Sequence, residues 1–237
     1  MLALLAAVAP AAGCTRGLPS EAVAAPAEAP RSATPAAAAP AATPAPRVAR
    51  GPADLFAAAC PGCVAGQVVD HAGQPVPNAI VYVKDGLRAA AAKHVAAHRP
   101  VVIDQRNKAF APHLIPVQAG SDVVFKNSDM VLHNVYSRSP DKTVDLGAFG
   151  HDQTRQTSFS EPGRVDVFCA IHTNMHAILL VLDTPFFATS DERGYFEIHD
   201  LPPGDYGLKV WTEQGREAEL RTRLTADRAA VVKAELP

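Results

Sequence analysis

The chain of 237 residues has no cluster of Lys and Arg: 22 basic and 24 acidic residues are scattered along it, leaving a formal net charge of −2. A nucleic-acid partner calls for a basic patch, so none is expected. The leading apolar stretch, residues 1–13, is too short to span a bilayer as a helix. No Ser/His/Asp set, no close pair of carboxylates and no Gly-rich phosphate loop can be found. Hydrolytic and phosphoryl-transfer chemistry therefore have no visible carrier, and the chain is not expected to be an enzyme. Cysteine is sparse, with four in all, and no His follows Cys63, so the c-type haem signature is missing too.

What is there begins with Met-Leu-Ala-Leu-Leu-Ala-Ala-Val-Ala-Pro, which reads as the apolar region of an export signal and ends in small residues before Cys14. The Ala-Ala-Gly-Cys14 end resembles a bacterial lipobox, which implies lipid on Cys14, a membrane-anchored lipoprotein, and a periplasmic or cell-surface location. The plainer alternative is an ordinary cleaved signal (residues 1–14) that takes Cys14 with it. Residues 15–55 are almost wholly Ala, Pro, Ser, Thr and Gly. They have too little branched or aromatic mass to offset their ordering entropy, so a disordered, Pro-stiffened tether is expected. Cys60-Pro-Gly-Cys63 reads as a local disulfide in an exported protein, with a redox or metal role as the alternative. Cys169 is then left without a partner thiol.

From residue 64 onward, short β-branched runs alternate with Gly, Pro, Asn and Asp. Strands are expected at 64–69, 79–83, 101–103, 114–117, 122–126, 134–137, 155–159, 165–168, 178–182, 195–198, 207–212, 217–224 and 229–235. Frequent short strands with turn signals between them predict an all-β protein of sandwich type. The Ala-rich stretch 87–98 is the one helix candidate, without a clear apolar face. Residues 66–83, Gly-Gln-Val-Val-Asp-His-Ala-Gly-Gln-Pro-Val-Pro-Asn-Ala-Ile-Val-Tyr-Val, resemble the opening strands of carboxypeptidase-regulatory-like (transthyretin-like) domains. The closing strands of that family are similar to residues 190–198 and 201–210, more than a hundred positions later. Two or three strands are marginal alone, so residues 60–99 and 185–237 are expected to form one small sandwich. Residues 100–184 are expected to sit in a loop of it as an inserted domain, as exposed loops tolerate. Two consecutive β domains are the alternative.

The candidate chemistry lies within residues 100–184. In Val165-Asp-Val-Phe-Cys-Ala-Ile-His-Thr-Asn-Met175, one strand runs into Cys169, His172 and Met175 follow at steps of three, and the next strand returns. His133 opens another strand in Asn127-Ser-Asp-Met-Val-Leu-His-Asn134. A thiolate, two imidazoles and a weak thioether form the trigonal set with an axial Met that marks a type 1 copper site of electron-transfer kind. Thiolate and thioether suit Cu(I) and imidazole suits both valences, so ligands fixed on a rigid sandwich let the ion change charge with little movement. Phe168, Val135 and Ile171 are candidates for apolar cover, and Asn134 for a hydrogen bond across to the ligand loop. His176 adjoins Met175 and is the alternative fourth ligand. His113 is read as a surface or packing residue, with a separate surface copper contact as the alternative.

Asn127…His133-Asn134-Val135 and Cys169-x-x-His172-x-x-Met175 resemble cupredoxins, the short loop being similar to that of amicyanin, over residues 101–184. The combined arrangement is similar to plastocyanin-like proteins associated with methylamine utilisation. That resemblance implies a Greek-key cupredoxin β-sandwich inserted into the regulatory-like one. It also implies one copper ion held by His133, Cys169, His172 and Met175, with His172 as electron port and redox proteins as partners. A copper-delivery or sensing protein, or a structural module with a vestigial site, are the competing expectations.

Overall fold

The computed structural model describes residues 62–87, 98–140 and 142–237. The signal and lipobox with Cys14, the tether, Cys60 and residues 88–97 of the Ala-rich stretch lie outside them. The β-branched runs form strands β1 Val64–Asp70, β2 Ile80–Asp85, β3 Val101–Arg106, β4 Ala109–Ala111, β5 Leu114–Gln118 and β6 Asp122–Asn127. They continue as β7 His133–Ser139, β8 Lys142–Phe149, β9 Thr154–Ser158, β10 Gly163–Phe168 and β11 His176–Leu182. The last are β12 Phe187–Thr189, β13 Tyr195–Ile198, β14 Gly204–Trp211, β15 Glu217–Leu224 and β16 Ala230–Leu236. The described residues contain strands and turns and no helix.

Strands β3–β11 build two facing sheets, ordered β5-β11-β10-β7-β8 and β4-β3-β6-β9. β7 and β8 form a hairpin, β9 lies against β8 from the opposite sheet, and β10 comes back beside β7. The spatial order β10-β7-β8-β9 is that of a Greek key. Between the sheets lies a core of Ile103, Val117, Val123, Phe125, Val135, Phe149, Val165, Val167, Leu179 and Val181, to which Cys169 and Met175 also belong. Strands β1, β2 and β12–β16 build a second pair of sheets, β13-β1-β16 and β12-β2-β14-β15, with their own core around Val68, Val81, Phe196, Leu208 and Leu236. In chain order the first sandwich therefore interrupts the second.

β11 explains how the two sandwiches hold together. Its sequence, His-Ala-Ile-Leu-Leu-Val-Leu, is apolar at every position after the first, and those six residues are all buried. A strand with one wet face alternates apolar and polar residues, whereas one covered on both faces reads as a continuous apolar run. Ala177, Leu179 and Val181 face the core of the Greek-key sandwich. Leu180 and Leu182 face outward and pack with Ile80, Tyr82, Phe187 and Trp211 of the second one.

Three strands were not apparent in the sequence: β4, β8 and β12. β4 and β12 have three residues each, too few to show a period of two. β8, Lys-Thr-Val-Asp-Leu-Gly-Ala-Phe, carries a Gly at φ 68° and pairs with β7 through an irregular register. It owes its extended form to its partner strand more than to its own residues. Cys63 is fully buried and disulfide-bonded, whereas Cys169 is a free thiol.

Candidate metal centre

Cys169 follows the last residue of β10. Alternation along that strand turns Val165, Val167 and Cys169 inward, and all three are buried. The chain then makes a tight loop before β11, closed by two backbone bonds. The Met175 N–H donates to the His172 carbonyl (3.0 Å) and the Cys169 N–H to the Met175 carbonyl (3.3 Å). The loop aims His172 back at the end of β10. His133, the first residue of β7, reaches the same place from the neighbouring strand and is fully buried.

Among the described residues, His133, Cys169 and His172 are the one group of three such donors drawn together, with all ligand atoms within 4.8 Å of one another. The two Nδ1 atoms are 3.1 Å apart, and Cys169 Sγ lies 4.0 Å from Nδ1 of His133 and 3.9 Å from Nδ1 of His172. Two nitrogens and a sulfur at these separations could hold a single ion between them.

Met175 is 1% exposed and packs in the same core cluster as Cys169. His176, one residue on, points to the other side of the sheet. Its Nε2 meets Asp166 Oδ1 at 2.8 Å and its ring stacks on Phe168 with centroids 4.8 Å apart. Strand alternation separates the two neighbours, so the thioether and not the imidazole shares the interior with the thiol. The same alternation corrects the expected cover. Val135 is fully buried in the core, but Phe168 faces outward against His176 and Tyr136, and Ile171 is 48% exposed.

Asn134 links the ligand elements as its position suggests. Its backbone N–H points at Cys169 Sγ (3.4 Å), its Oδ1 accepts the Ala170 N–H (3.2 Å), and its Nδ2 donates to Asp145 Oδ1 (2.8 Å). Gly147 N–H and Asn134 Nδ2 hold the Asp145 carboxyl below the usual carboxylate range.

One participant escaped the sequence. Asp129 Oδ2 lies 2.8 Å from His133 Nε2. An acidic residue four positions before a histidine is too common a pattern to single out without coordinates. His113 is not part of the group: its Nδ1 meets the His176 carbonyl and its Nε2 meets Glu213, each at 3.0 Å.

No protein-family model matches the chain, and no curated protein matches it. Solved structures with a similar fold include an oxidised variant of amicyanin, 20% identical with a TM-score of 0.34, covering 43% of this chain and 98% of that one. A purple cupredoxin from Nitrosopumilus maritimus is 18% identical with a TM-score of 0.32, covering 35% of this chain and 99% of that one. A copper-containing nitrite reductase from Thermus scotoductus is 23% identical with a TM-score of 0.33 over 35% of this chain, and the match spans only 22% of the reductase.

Proposed function

We propose that this chain is a mononuclear copper protein, with His133, Cys169, His172 and Met175 as its ligands. More particularly, it is a type 1 electron carrier of the short-loop, amicyanin-like kind. The observation that carries this reading is the donor triangle of one sulfur and two nitrogens, sized for a single ion and backed by a buried thioether. A sulfur-rich set of this order suits copper better than harder divalent ions. Copper, when bound, supplies a one-electron couple.

The residues do the rest. Cys169, His133 and Met175 are anchored in or beside a close-packed core, so the ligand frame resists rearrangement when the ion changes charge. Four protein donors leave no open position for a substrate, which favours transfer over catalysis. His172 is the most exposed of the four. Beside it lie Ile171, and next to its partner His133 the exposed Met130, Val131 and Leu132, with Met130 82% exposed. Exposed apolar side chains around a ligand suit a transient redox partner, because they desolvate on docking and shorten the path to the ion. The second sandwich serves as a regulatory-like scaffold gripping β11, and lipid on Cys14 with the tether would hold the assembly at an exported membrane face.

Reconstitution of the purified chain with Cu(II) tests the reading. An intense visible thiolate-to-copper band, narrow copper hyperfine splitting in EPR and fast reversible reduction are expected, and Cys169→Ser removes the band. Copper also raises the melting temperature of the parent and much less that of Cys169→Ser, since a ligand bound only by the native state stabilises it by mass action. A pale, readily exchanged ion would point to delivery instead, and no stoichiometric binding would leave a structural module.

A further inference from the structure

Asp129 lies outside the donor triangle, on the far side of the His133 ring. Its Oδ1 accepts the Asn107 N–H at 2.7 Å, and its Oδ2 accepts the Lys108 N–H at 2.8 Å. Asn107 and Lys108 form the two-residue turn between β3 and β4, with φ of 55° and 54°. This mirror-image turn suits a right-twisted hairpin, and here both its N–H groups point at one carboxylate. The Asp129 N–H in turn donates to Asn127 Oδ1 (2.9 Å), and Asn127 is itself fully buried and bonded to the Val131 and Phe149 carbonyls. A loop carboxylate is thus fixed from three directions.

The consequence falls on His133. A neutral imidazole carries one proton, and the nitrogen facing a carboxylate at 2.8 Å keeps it. With Nε2 protonated, Nδ1 presents its lone pair toward Cys169 Sγ and His172 Nδ1.

We propose that Asp129, braced by the Asn107–Lys108 turn, is the positioning residue of the metal centre, fixing the Nε2-protonated tautomer of His133 and favouring the divalent over the monovalent state of the bound ion. A carboxylate on the outer nitrogen of a ligating histidine raises the basicity of the inner one. Its charge, one ring away, also attracts a 2+ ion more than a 1+ ion. The proposal rests on the reading of the centre as a copper site.

Two substitutions separate tautomer from charge. Asp129→Asn keeps an oxygen for the Nε2–H but removes the charge, whereas Asp129→Ala removes both. In the full-length chain, Asp129→Asn is expected to bind copper stoichiometrically at a raised reduction potential, its Cu(II) affinity falling relative to its Cu(I) affinity. Asp129→Ala is expected to lose about 10- to 100-fold in Cu(II) affinity, as is usual when such an outer partner is removed, and Asp129→Glu to recover part of it. In the metal-free chain, nitrogen NMR should show His133 protonated at Nε2 in the parent and in Asp129→Asn, and as a tautomer mixture in Asp129→Ala. An unmoved potential in Asp129→Asn, or an unchanged His133 tautomer in Asp129→Ala, overturns the proposal. A parent chain that binds no copper sinks the reading of the centre itself, and the tautomer measurement then still decides whether Asp129 positions His133.

Discussion

Asn134 is fixed at both ends of its side chain, and this is what ties the ligand loop to the strand that carries His133. Its oxygen takes the Ala170 N–H and its amide reaches Asp145, while the contact to Cys169 Sγ comes from its backbone. Asn134→Ala is therefore expected to destabilise the chain by about 1–3 kcal/mol, because the Ala170 N–H loses its acceptor. It should leave the thiolate-to-copper band in place, since the N–H to the sulfur survives. Urea denaturation and the visible spectrum of the same variant check both halves. At this scale the sequence was informative wherever chemistry is rare: a lone thiol, a thioether and two histidines at short steps stand out. Asp129 and Asp145 did not stand out, because exposed-looking acidic residues in turns are ordinary until their partners are seen.

Among the elements, the hairpin of β14 and β15 is in full register from Gly204↔Leu224 to Trp211↔Glu217. Across it, Arg223 Nε meets Asp205 Oδ1 at 2.6 Å, and this bond, opposed weakly by burial, holds the Asp205 carboxyl below its usual range. A carboxyl lowered in the folded state contributes stability that is present above its unfolded value, about 3.9, and is lost as pH falls through the folded one. The difference in urea midpoint between the parent and Asp205→Asn should hold steady near neutral pH and shrink below about pH 3.9. It should also be smaller in high salt, because the pair is exposed. Thirteen of the sixteen strands follow from alternation and turn residues. The three that do not are short or, in β8, irregular, and gain their conformation from the neighbour they pair with.

Across the whole molecule, β11 belongs to two cores at once. Leu180 is 6% exposed and packs outward on the second sandwich, while Leu179 beside it is buried in the first. Melting one sandwich would strip one face of that strand, so the two are expected to unfold in a single transition, with calorimetric and van't Hoff enthalpies in agreement. Leu180→Ala should cost about 2–5 kcal/mol, and it should pull the two enthalpies apart by loosening an apolar strip that the sandwiches share.

By itself the sequence determined the all-β class and most of the strands, and it singled out the residues proposed as donors, since period and side-chain chemistry are local properties. Only the tertiary structure decided that Met175 and not His176 shares the interior with Cys169, and that Phe168 faces outward. It alone brought the Asn107–Lys108 turn to grip the carboxylate behind His133. These outcomes depend on pleat direction and on contacts between residues far apart in the chain, and neither is written in any short stretch of residues.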